Sequence, residues 1–409
     1  MPSKHRFVTI TLLLLAVLAG CGGSGGSAAN SMAGSTSSGQ TADLSHACPM
    51  PSATATAPAG SLGTVVDAVV TAEMAAKGIP GMSVTIARKG TVLYSNGYGY
   101  ADLSGCRPAQ AGTVYQIGSV TKQFTAAAIL QLQAAGLLGI DDKVSRYLPA
   151  YSFDDRLTLR MLLNQTSGLP DYVEFADGLV PAQHVAEADV LAAIAAARLL
   201  FAPGSAYAYS NSNYFILASV IEAVTRTSYA DYLASHIFQP VGLAHTSYAA
   251  PPGGQAAQPY TRTRPLVPGT PGLAAGIALD PSVLFGAGAL WSTTEDLAKW
   301  DAAVLSGTVI RPDLLALALT PPASIPVFQG NANTNYAMRW VRDDVGGHTL
   351  AWHNGRTYAY SAFNGAFLDD GISVSILANI DLHDDPVLLG LALTLLRKIC
   401  NGQQAALSC

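Results

Sequence analysis

The stretch that decides the fold runs from Tyr115 to Leu138 and reads YQIGSVTKQFTAAAILQLQAAGLL. Its apolar residues, among them Phe124 and Leu130, follow the spacing of a buried helix. Ser119 and Lys122 stand where that helix begins. We therefore expect the two side chains in the first turns of the helix, on the same face.

A serine beside a lysine at a helix start suits nucleophilic catalysis. A serine hydroxyl is a weak nucleophile unless a base lies within hydrogen-bond reach. Lys122 can be that base only if burial lowers its pKa, because desolvation disfavours the ammonium. The free N–H groups of the helix start also suit a developing oxyanion. Ser-x-x-Lys occurs by chance in many proteins, but here it occurs once and has partners downstream.

The second motif is Tyr-Ser-Asn at Tyr209–Asn211, which follows a Pro-Gly loop and precedes a predicted buried helix. The phenol can relay a proton to a leaving group if the lysine charge keeps its pKa low. Asn211 can hydrogen-bond both the lysine and a substrate amide. A structural tyrosine is the alternative. The same letters at residues 94–96 precede Gly97, and there we interpret them as a turn.

The third motif is His-Asn-Gly at His353–Gly355, at the end of a predicted strand. A strand edge there can lie along bound substrate, and Gly355 lets the backbone approach closely. A lone strand histidine with a structural or surface role is the alternative.

The three motifs occur in this order on a helix start, a loop and a strand. With them the chain resembles the serine beta-lactamase and penicillin-binding-protein-like superfamily, in its class C-like esterase branch. The resemblance runs from about residue 63 to about residue 400. It includes the stretches YQIGSVTKQFTAAAILQL, LTLRMLLNQTSGLPDY, FAPGSAYAYSNSNYFILASVIEAV, FGAGALWSTTEDLAKW and HNGRTYAYSAFNGAFLDDG.

The resemblance implies a role for each motif residue. Ser119 would attack the carbonyl and form an acyl-enzyme, and Lys122 would take its proton. Tyr209 would carry that proton to the leaving group and activate the deacylating water, and Asn211 would orient Lys122 and the substrate.

The resemblance also implies a strand wall made by His353 and Gly355, and an oxyanion hole made by the backbone N–H groups of Ser119 and Arg356.

Three departures from the family pattern bear on the substrate. Penicillin-active members often carry lysine at the position of His353, where its charge holds a substrate carboxylate, and histidine is mostly neutral at pH 7. Asn-Gln-Thr at 164–166 replaces the usual His-Thr, and bulkier residues at 356–360 replace a glycine-rich run. Ester or D-amino-acid amide hydrolysis is therefore favoured over beta-lactam hydrolysis. Arg356 is a candidate replacement anchor through bidentate pairing.

The layout predicts an α+β fold with an antiparallel sheet from the N- and C-terminal segments, flanked by helices, and a mainly helical insert. Helices are expected at Leu62–Lys77 and Thr294–Leu305, and residues 249–285 are expected to be mostly loop. The sheet part covers about 61–115 and 340–409, and the helical part about 116–339 of a hydrolase domain at 61–409. The cleft between them is the expected site.

The N-terminus predicts export. Residues 1–20 combine a short positive region with an apolar core too short to span a bilayer comfortably, and end before Cys21 in a pattern that resembles a bacterial lipobox. An ordinary signal peptide is the alternative. Residues 21–60 predict a flexible tether rich in Gly, Ser, Ala and Thr. We expect a lipid anchor on Cys21 at the bacterial cell envelope, and Gly22 suggests the outer membrane if the organism has one.

Four cysteines remain beyond Cys21, and three pairings are possible. Of these we favour Cys48–Cys106 and Cys400–Cys409. No cysteine or histidine spacing indicates a metal site, and no cofactor is expected. A net charge of −5 gives no basic surface for nucleic acid.

The sequence thus predicts an envelope serine hydrolase that acts on a small-molecule or peptide substrate. It leaves esterase, D,D-peptidase or D-aminopeptidase, and beta-lactamase open, as well as the oligomeric state. The alternative is a non-catalytic lipoprotein that binds peptidoglycan fragments or a protein through the same cleft.

Overall fold

The computed structural model describes Cys48 and residues 61–175, 182–251, 254–263, 272–322, 325–327, 335–382 and 387–400. The predicted signal peptide, Cys21 and all of the tether except Cys48 lie outside these residues, as does Cys409, the predicted partner of Cys400. Those expectations stay predictions. Within the described residues, none of the helices combines the length and the apolar character that crossing a membrane requires.

An eight-stranded antiparallel sheet organises the fold. The strands in chain order are β1 Gly81–Arg88, β2 Thr91–Asp102, β3 Arg107–Pro108, β4 Tyr115–Gln116, β5 Tyr260–Thr263, β6 Gly272–Ala275, β7 Trp291–Ser292, β8 Tyr336–Ala337, β9 Trp340–Val345, β10 His348–Arg356, β11 Ser361–Phe367 and β12 Ile372–Ala378. The spatial order in the large sheet is β3-β2-β1-β12-β11-β10-β9-β8. The first and last parts of the chain meet at its centre, where Val84 of β1 faces Ile376 of β12.

Most helices lie in sequence between β3 and β8, and α1 and α13 flank the sheet strands at the two ends. The helices are α1 Leu62–Lys77, α2 Thr121–Ala134, α3 Val144–Tyr147, α4 Leu159–Leu163, α5 Tyr172–Phe175, α6 Glu187–Ala196, α7 Asn211–Thr225, α8 Tyr229–Leu233, α9 Gln239–Val241, α10 Pro281–Leu284, α11 Thr294–Leu305, α12 Pro312–Ala318 and α13 Val387–Cys400. The predicted bounds of α1 and α11 are confirmed. Thr293 caps α11 by accepting the N–H of Asp296 at 3.1 Å, the arrangement expected for a threonine at a helix start.

Both faces of the sheet are covered, which explains why β11 and β12 are buried along their whole length. Apolar side chains of α1 and α13, such as Val70 and Leu395, pack with Val84 on one face. The other face carries polar groups that bond to α11, since Thr85 donates to the Thr294 hydroxyl at 2.8 Å. Burial of each large apolar side chain contributes about 1.5–3 kcal/mol to stability.

Helix α2 forms the centre of the helical part and is buried along most of its length. Its Phe124 stacks on Trp300 of α11 with ring centroids 4.0 Å apart. The burial of α2 fixes the position of its first turn. The antiparallel sheet and the helices around it confirm the predicted α+β class.

One local expectation is incomplete and another is wrong. Residues 249–285 include the short β5–β6 ladder and α10 as well as loop. Residues 94–96 lie inside β2 and form no turn, because pairing with β1 continues as far as Gly99 opposite Gly81.

A disulfide joins Cys48 to Cys106, with a Cα–Cα distance of 5.5 Å. Cys106 lies between β2 and β3, so the bond ties the segment around Cys48 to one edge of the sheet.

Candidate active site

Ser119 lies in a 3-10 turn, Gly118–Val120, that precedes α2, one turn earlier than the sequence suggested. Gly118 has a φ of +50° and is pressed against β10, because a Cβ on it would lie 2.6 Å from the backbone nitrogen of Arg356. Only glycine fits such an approach. The turn that carries Ser119 therefore rests directly on the strand that carries the third motif.

Lys122 is fully buried in the first turn of α2. Its Nζ lies 2.8 Å from Ser119 Oγ, 2.7 Å from Asn211 Oδ1 and 2.8 Å from the Ala287 carbonyl oxygen. A neutral amine has two N–H donors and one lone pair, whereas an ammonium has three donors. The amide and carbonyl oxygens can accept both N–H groups, which leaves the lone pair for the Ser119 hydroxyl.

The electrostatic surroundings favour this neutral form. Burial holds the pKa of Lys122 well below its usual range, and the Arg339 guanidinium lowers it further. The Asp171 carboxylate acts in the opposite direction. Lys122 thus meets the condition for acting as a base, which is a pKa lowered by burial.

Tyr209 contacts the serine from the other side. Its hydroxyl donates to Ser119 Oγ at 2.7 Å, and its ring centroid lies 4.8 Å from Lys122 Nζ. Burial raises the pKa of Tyr209, helped by Tyr336 and opposed by Arg339 and by the bond to Ser119. The condition that the lysine charge keep this pKa low is therefore not met, and Tyr209 is a phenol that holds its proton.

Asn211 is the first residue of α7 and links Lys122 to a partly buried acid. Its Oδ1 accepts from Lys122, and its Nδ2 donates to Asp171 Oδ2 at 2.8 Å. Burial raises the pKa of Asp171, while hydrogen bonds and Lys122 lower it. Sequence reasoning missed Asp171, and its place after Pro170 in the loop at 164–171 was the available signal.

Gln165 holds Tyr209 in place through the backbone N–H groups of the residues before and after it. The Gln165 carbonyl accepts the N–H of Ala208 at 3.0 Å, and its side-chain oxygen accepts the N–H of Ser210 at 2.9 Å. The departure from the family pattern at 164–166 therefore has a definite role in positioning the second motif.

The third motif lies within β10, which continues through Arg356. His353 is buried, its Nδ1 bonds to the Asn354 carbonyl, and its ring centroid lies 6.2 Å from that of Tyr209. Arg356 is half-exposed, with its Nε 3.7 Å from Asp381 Oδ1. Its guanidinium thus has a carboxylate of this chain within reach.

Arg339 is a second residue that sequence reasoning missed. It lies in the turn between β8 and β9, is fully buried, and donates from Nη2 to the Ser119 carbonyl at 2.5 Å. No local motif surrounds it, and 220 residues separate it from Ser119, so only the fold brings the two together.

Among the residues that the structure describes, no group of three or more His, Cys, Asp or Glu side chains is arranged to hold a metal ion.

The antiparallel sheet, the helical part and the bonded Ser119–Lys122–Tyr209 set together define the class of beta-lactamase/transpeptidase-like proteins. The family model described as Beta-lactamase matches residues 66–395. The chain therefore belongs to the Beta-lactamase family.

Curated relatives include Penicillin-binding protein 4* of Bacillus subtilis (strain 168), 29% identical over 315 residues that make up 73% of this chain and 67% of that one. Protein flp of Staphylococcus aureus (strain MW2) is 34% identical over 188 residues, 45% of this chain. The chain spans only 38% of the length of that relative.

Solved structures agree on the fold. The D-stereospecific amidohydrolase from Streptomyces sp. aligns with a TM-score of 0.68 and 25% identity, covering 82% of this chain and 98% of that one. The D-amino acid amidase from Ochrobactrum anthropi SV3 aligns with a TM-score of 0.73 and 23% identity, covering 84% and 99%. The second likeness supports the fold alone.

Proposed function

We propose that this protein is a serine hydrolase that cleaves esters or amides through an acyl-enzyme on Ser119. The observation that carries the proposal is the position of Ser119 Oγ, 2.8 Å from Lys122 Nζ on one side and 2.7 Å from the Tyr209 hydroxyl on the other. Acyl transfer requires a base and an acid that both contact the hydroxyl of the attacking serine. Membership of the Beta-lactamase family supports the same reaction.

Acylation begins with neutral Lys122. Its lone pair takes the Oγ proton as Oγ bonds to the substrate carbonyl carbon. The resulting oxyanion accepts hydrogen bonds from the backbone N–H groups of Ser119 and Arg356. The contact between Gly118 and β10 keeps these two N–H groups close together. As the carbonyl–leaving-group bond breaks, Tyr209 gives its proton to the departing oxygen or nitrogen. The Lys122 ammonium then reprotonates Tyr209, a downhill transfer because burial raises the pKa of the phenol and lowers that of the lysine.

Deacylation runs the same proton path in reverse. Water bonds to the acyl carbon while its proton passes through Tyr209 to Lys122. The bond from carbon to Oγ then breaks, and Oγ recovers its proton from the Lys122 ammonium. No other reactant is needed, and the free enzyme is restored.

We further propose that the substrates are esters or D-amino-acid amides. The position that holds a substrate carboxylate in penicillin-active members is here occupied by His353, a buried imidazole that bonds to the neighbouring carbonyl. The name of one structural relative, a D-stereospecific amidohydrolase at 25% identity, supports the amide choice. D,D-peptidase and beta-lactamase activity are the alternatives within the same chemistry.

We propose an envelope location with a lipid on Cys21, supported by the residues that precede it. Metabolic labelling with a radioactive fatty acid tests this. Label in the full chain and not in Cys21→Ser is expected, and equal label in both would overturn it.

The activity test uses detergent-solubilised full-length protein with p-nitrophenyl butyrate, D-phenylalanine amide and nitrocefin. Ser119→Ala is the test variant, and Ser145→Ala, at a partly exposed serine of α3, is the control. We expect ester or amide turnover that disappears in Ser119→Ala alone, with an acyl adduct on Ser119 by mass spectrometry. Turnover that survives Ser119→Ala would refute the proposal. Absence of any adduct with all three substrates would favour the non-catalytic binding protein.

A further inference from the structure

Arg339 combines three features that a residue with a purely structural role rarely shows together. It is a cation with no exposed surface, and within the described residues its Nε has no hydrogen-bond partner. Its φ is +97°, in the left-handed region that side chains other than glycine rarely adopt. Burial of an incompletely paired charge and adoption of this backbone conformation both oppose folding. Such opposition points to a function.

The groups around Arg339 belong to the candidate active site. Its Nη2 donates to the Ser119 carbonyl at 2.5 Å, so it holds the turn that carries the nucleophile. Its Nη1 lies 3.4 Å from the Tyr336 hydroxyl. The ionisable groups that act on it are four phenols rather than a carboxylate: Tyr207, Tyr209, Tyr214 and Tyr336. Its positive charge is therefore not neutralised by the groups that face it.

We propose that Arg339 is a positioning residue of the acyl-transfer site, which fixes the Ser119 turn through the Ser119 carbonyl and supplies a fixed positive charge near Lys122 and Tyr209. The inference rests on the proposed function, since it assigns a task in the same reaction. The charge repels a proton on Lys122 and stabilises any negative charge that develops on Tyr209 as its proton leaves. One guanidinium thus assists both members of the proton path.

Other groups around Lys122 have to be set against this effect. The rings of Tyr209 and Tyr214 lie 4.8 and 5.7 Å from Nζ, and both phenols hold their protons because burial raises their pKa values. Asp171 is the opposing acid, and it raises the pKa of Lys122 where Arg339 lowers it. Removal of the Arg339 charge leaves burial alone to oppose the effect of Asp171 on the pKa of Lys122, so Lys122 should bind its proton more tightly.

Three variants at one position separate charge from shape. Arg339→Met removes the charge and keeps much of the side-chain length, and Arg339→Lys keeps a charge. Arg339→Gly removes the charge and suits a φ of +97°, so it gives a second neutral variant if the methionine variant does not fold. Arg342→Met, which removes an exposed arginine three residues further on in β9, is the control.

The first readout needs no turnover. The full-length protein is labelled with ε-¹³C lysine, Lys122 is assigned from its missing signal in Lys122→Arg, and its titration is followed by NMR. We expect the Lys122 titration to move up by about one pH unit in the neutral variants. It should stay within about 0.3 pH unit of wild type in Arg339→Lys and Arg342→Met.

The second readout is the pH dependence of kcat/KM for the best ester or amide. Its acid limb should move up in step with the Lys122 titration, and kcat should fall at least tenfold while KM changes less than about threefold. A lowered Tm with both pH readouts unmoved would make Arg339 a structural residue only and overturn the inference, as would an equal shift in Arg339→Lys. If wild type shows no Ser119-dependent turnover, the proposed function fails, and the NMR titration still decides the effect of the Arg339 charge.

Discussion

Gly355 and Ile117 are packed so closely that a Cβ on Gly355 would lie 1.9 Å from the Ile117 carbonyl oxygen. Gly118, the next residue after Ile117, makes the reciprocal approach to the backbone of Arg356. Two glycines on two different elements therefore hold the Ser119 turn tightly against β10. This contact sets the spacing of the two N–H groups that we assign to the oxyanion.

Gly355→Ala should separate these backbones and disable the site. Because the obstructing atom is a backbone oxygen, no side-chain movement can relieve the clash. We expect kcat/KM to fall by at least about a hundredfold, the size of effect seen when one oxyanion donor is lost. Steady-state kinetics and thermal unfolding measure the two consequences. Gly112→Ala is the matched control, since nothing lies within 4 Å of its added Cβ, and equal activity of both variants would contradict this tight contact with β10.

Lys122 should link activity and stability to pH in a definite direction. Its pKa is lowered by folding, so the unfolded chain binds its proton at higher pH than the folded chain does. The contribution of this group to stability is therefore present above the unfolded pKa near 10.4 and is lost as pH falls towards the folded pKa. Wild type should gain stability relative to Lys122→Met as pH rises from 7 to 10.

Differential scanning calorimetry at several pH values measures that gain, and kcat of Lys122→Met should fall at least about a thousandfold. Lys143→Met, at an exposed lysine, should change neither quantity. A Tm difference between wild type and Lys122→Met that does not vary with pH would show that Lys122 is charged in the folded protein.

The local sequence motifs predicted that Ser119, Lys122, Tyr209 and Asn211 come together. They could not predict contacts that arise only from the fold. Ser119 and Lys122 are neighbours on one turn, so short-range spacing determines their contact. Tyr209 and Asn211 were selected because a loop residue before a buried helix points into a cleft, and the structure brings both to the same place. The catalytic roles of these residues stay predictions.

Arg339, Asp171 and the Ala287 carbonyl escaped prediction for different reasons. Arg339 meets Ser119 only through the order of strands in the sheet, and a single arginine in a hairpin carries no motif. The Ala287 carbonyl is a backbone atom, which no side-chain pattern can indicate. In the fold, a sheet built from the first and last segments of the chain was predicted from hydrophobic periodicity, whereas the short β5–β6 ladder in a Pro- and Gly-rich region was not.

Gln165 should control the position of Tyr209 without touching the reacting atoms. Its side-chain oxygen is the acceptor for the N–H of Ser210, so Gln165→Ala leaves that buried donor unsatisfied. We expect kcat to fall about tenfold to a hundredfold with an unchanged acid limb, because Lys122 is unaffected. The pH profile of kcat/KM checks this. Gln239→Ala, at an exposed glutamine, is the control, and a shifted acid limb in Gln165→Ala would argue against a purely positional effect.

The Cys48–Cys106 disulfide should stabilise the folded protein by closing a long loop. The two residues are 58 apart in sequence, for which loop-closure entropy gives about 4 kcal/mol. The double variant Cys48→Ala, Cys106→Ala should therefore unfold at lower urea concentration than wild type. Added reductant should destabilise wild type and leave the double variant unchanged. Equal midpoints in the absence of reductant would contradict the pairing.

Asp301 should make the protein less stable as pH rises. The carboxyl lies on α11 against the sheet, where the Asn364 Nδ2 donates to its Oδ1 at 2.8 Å, and burial raises its pKa to about 7. Since the ordinary value is 3.8, the folded state holds this proton where the unfolded chain releases it. Its contribution to stability is complete below pH 4 and is lost between about pH 4 and 7, to the extent of about 4 kcal/mol.

Asp301→Asn keeps the acceptor for Asn364 and has no charge, so its advantage over wild type should grow across that range and level off above it. Urea unfolding from pH 5 to pH 8 measures the advantage. Asp155→Asn is the control, at an exposed carboxyl whose pKa is lowered by Lys143 and Ser145, and its difference from wild type should stay constant from pH 5 to pH 8 because that carboxyl is ionised in both states throughout. A constant difference for Asp301→Asn would mean that the buried carboxyl titrates normally.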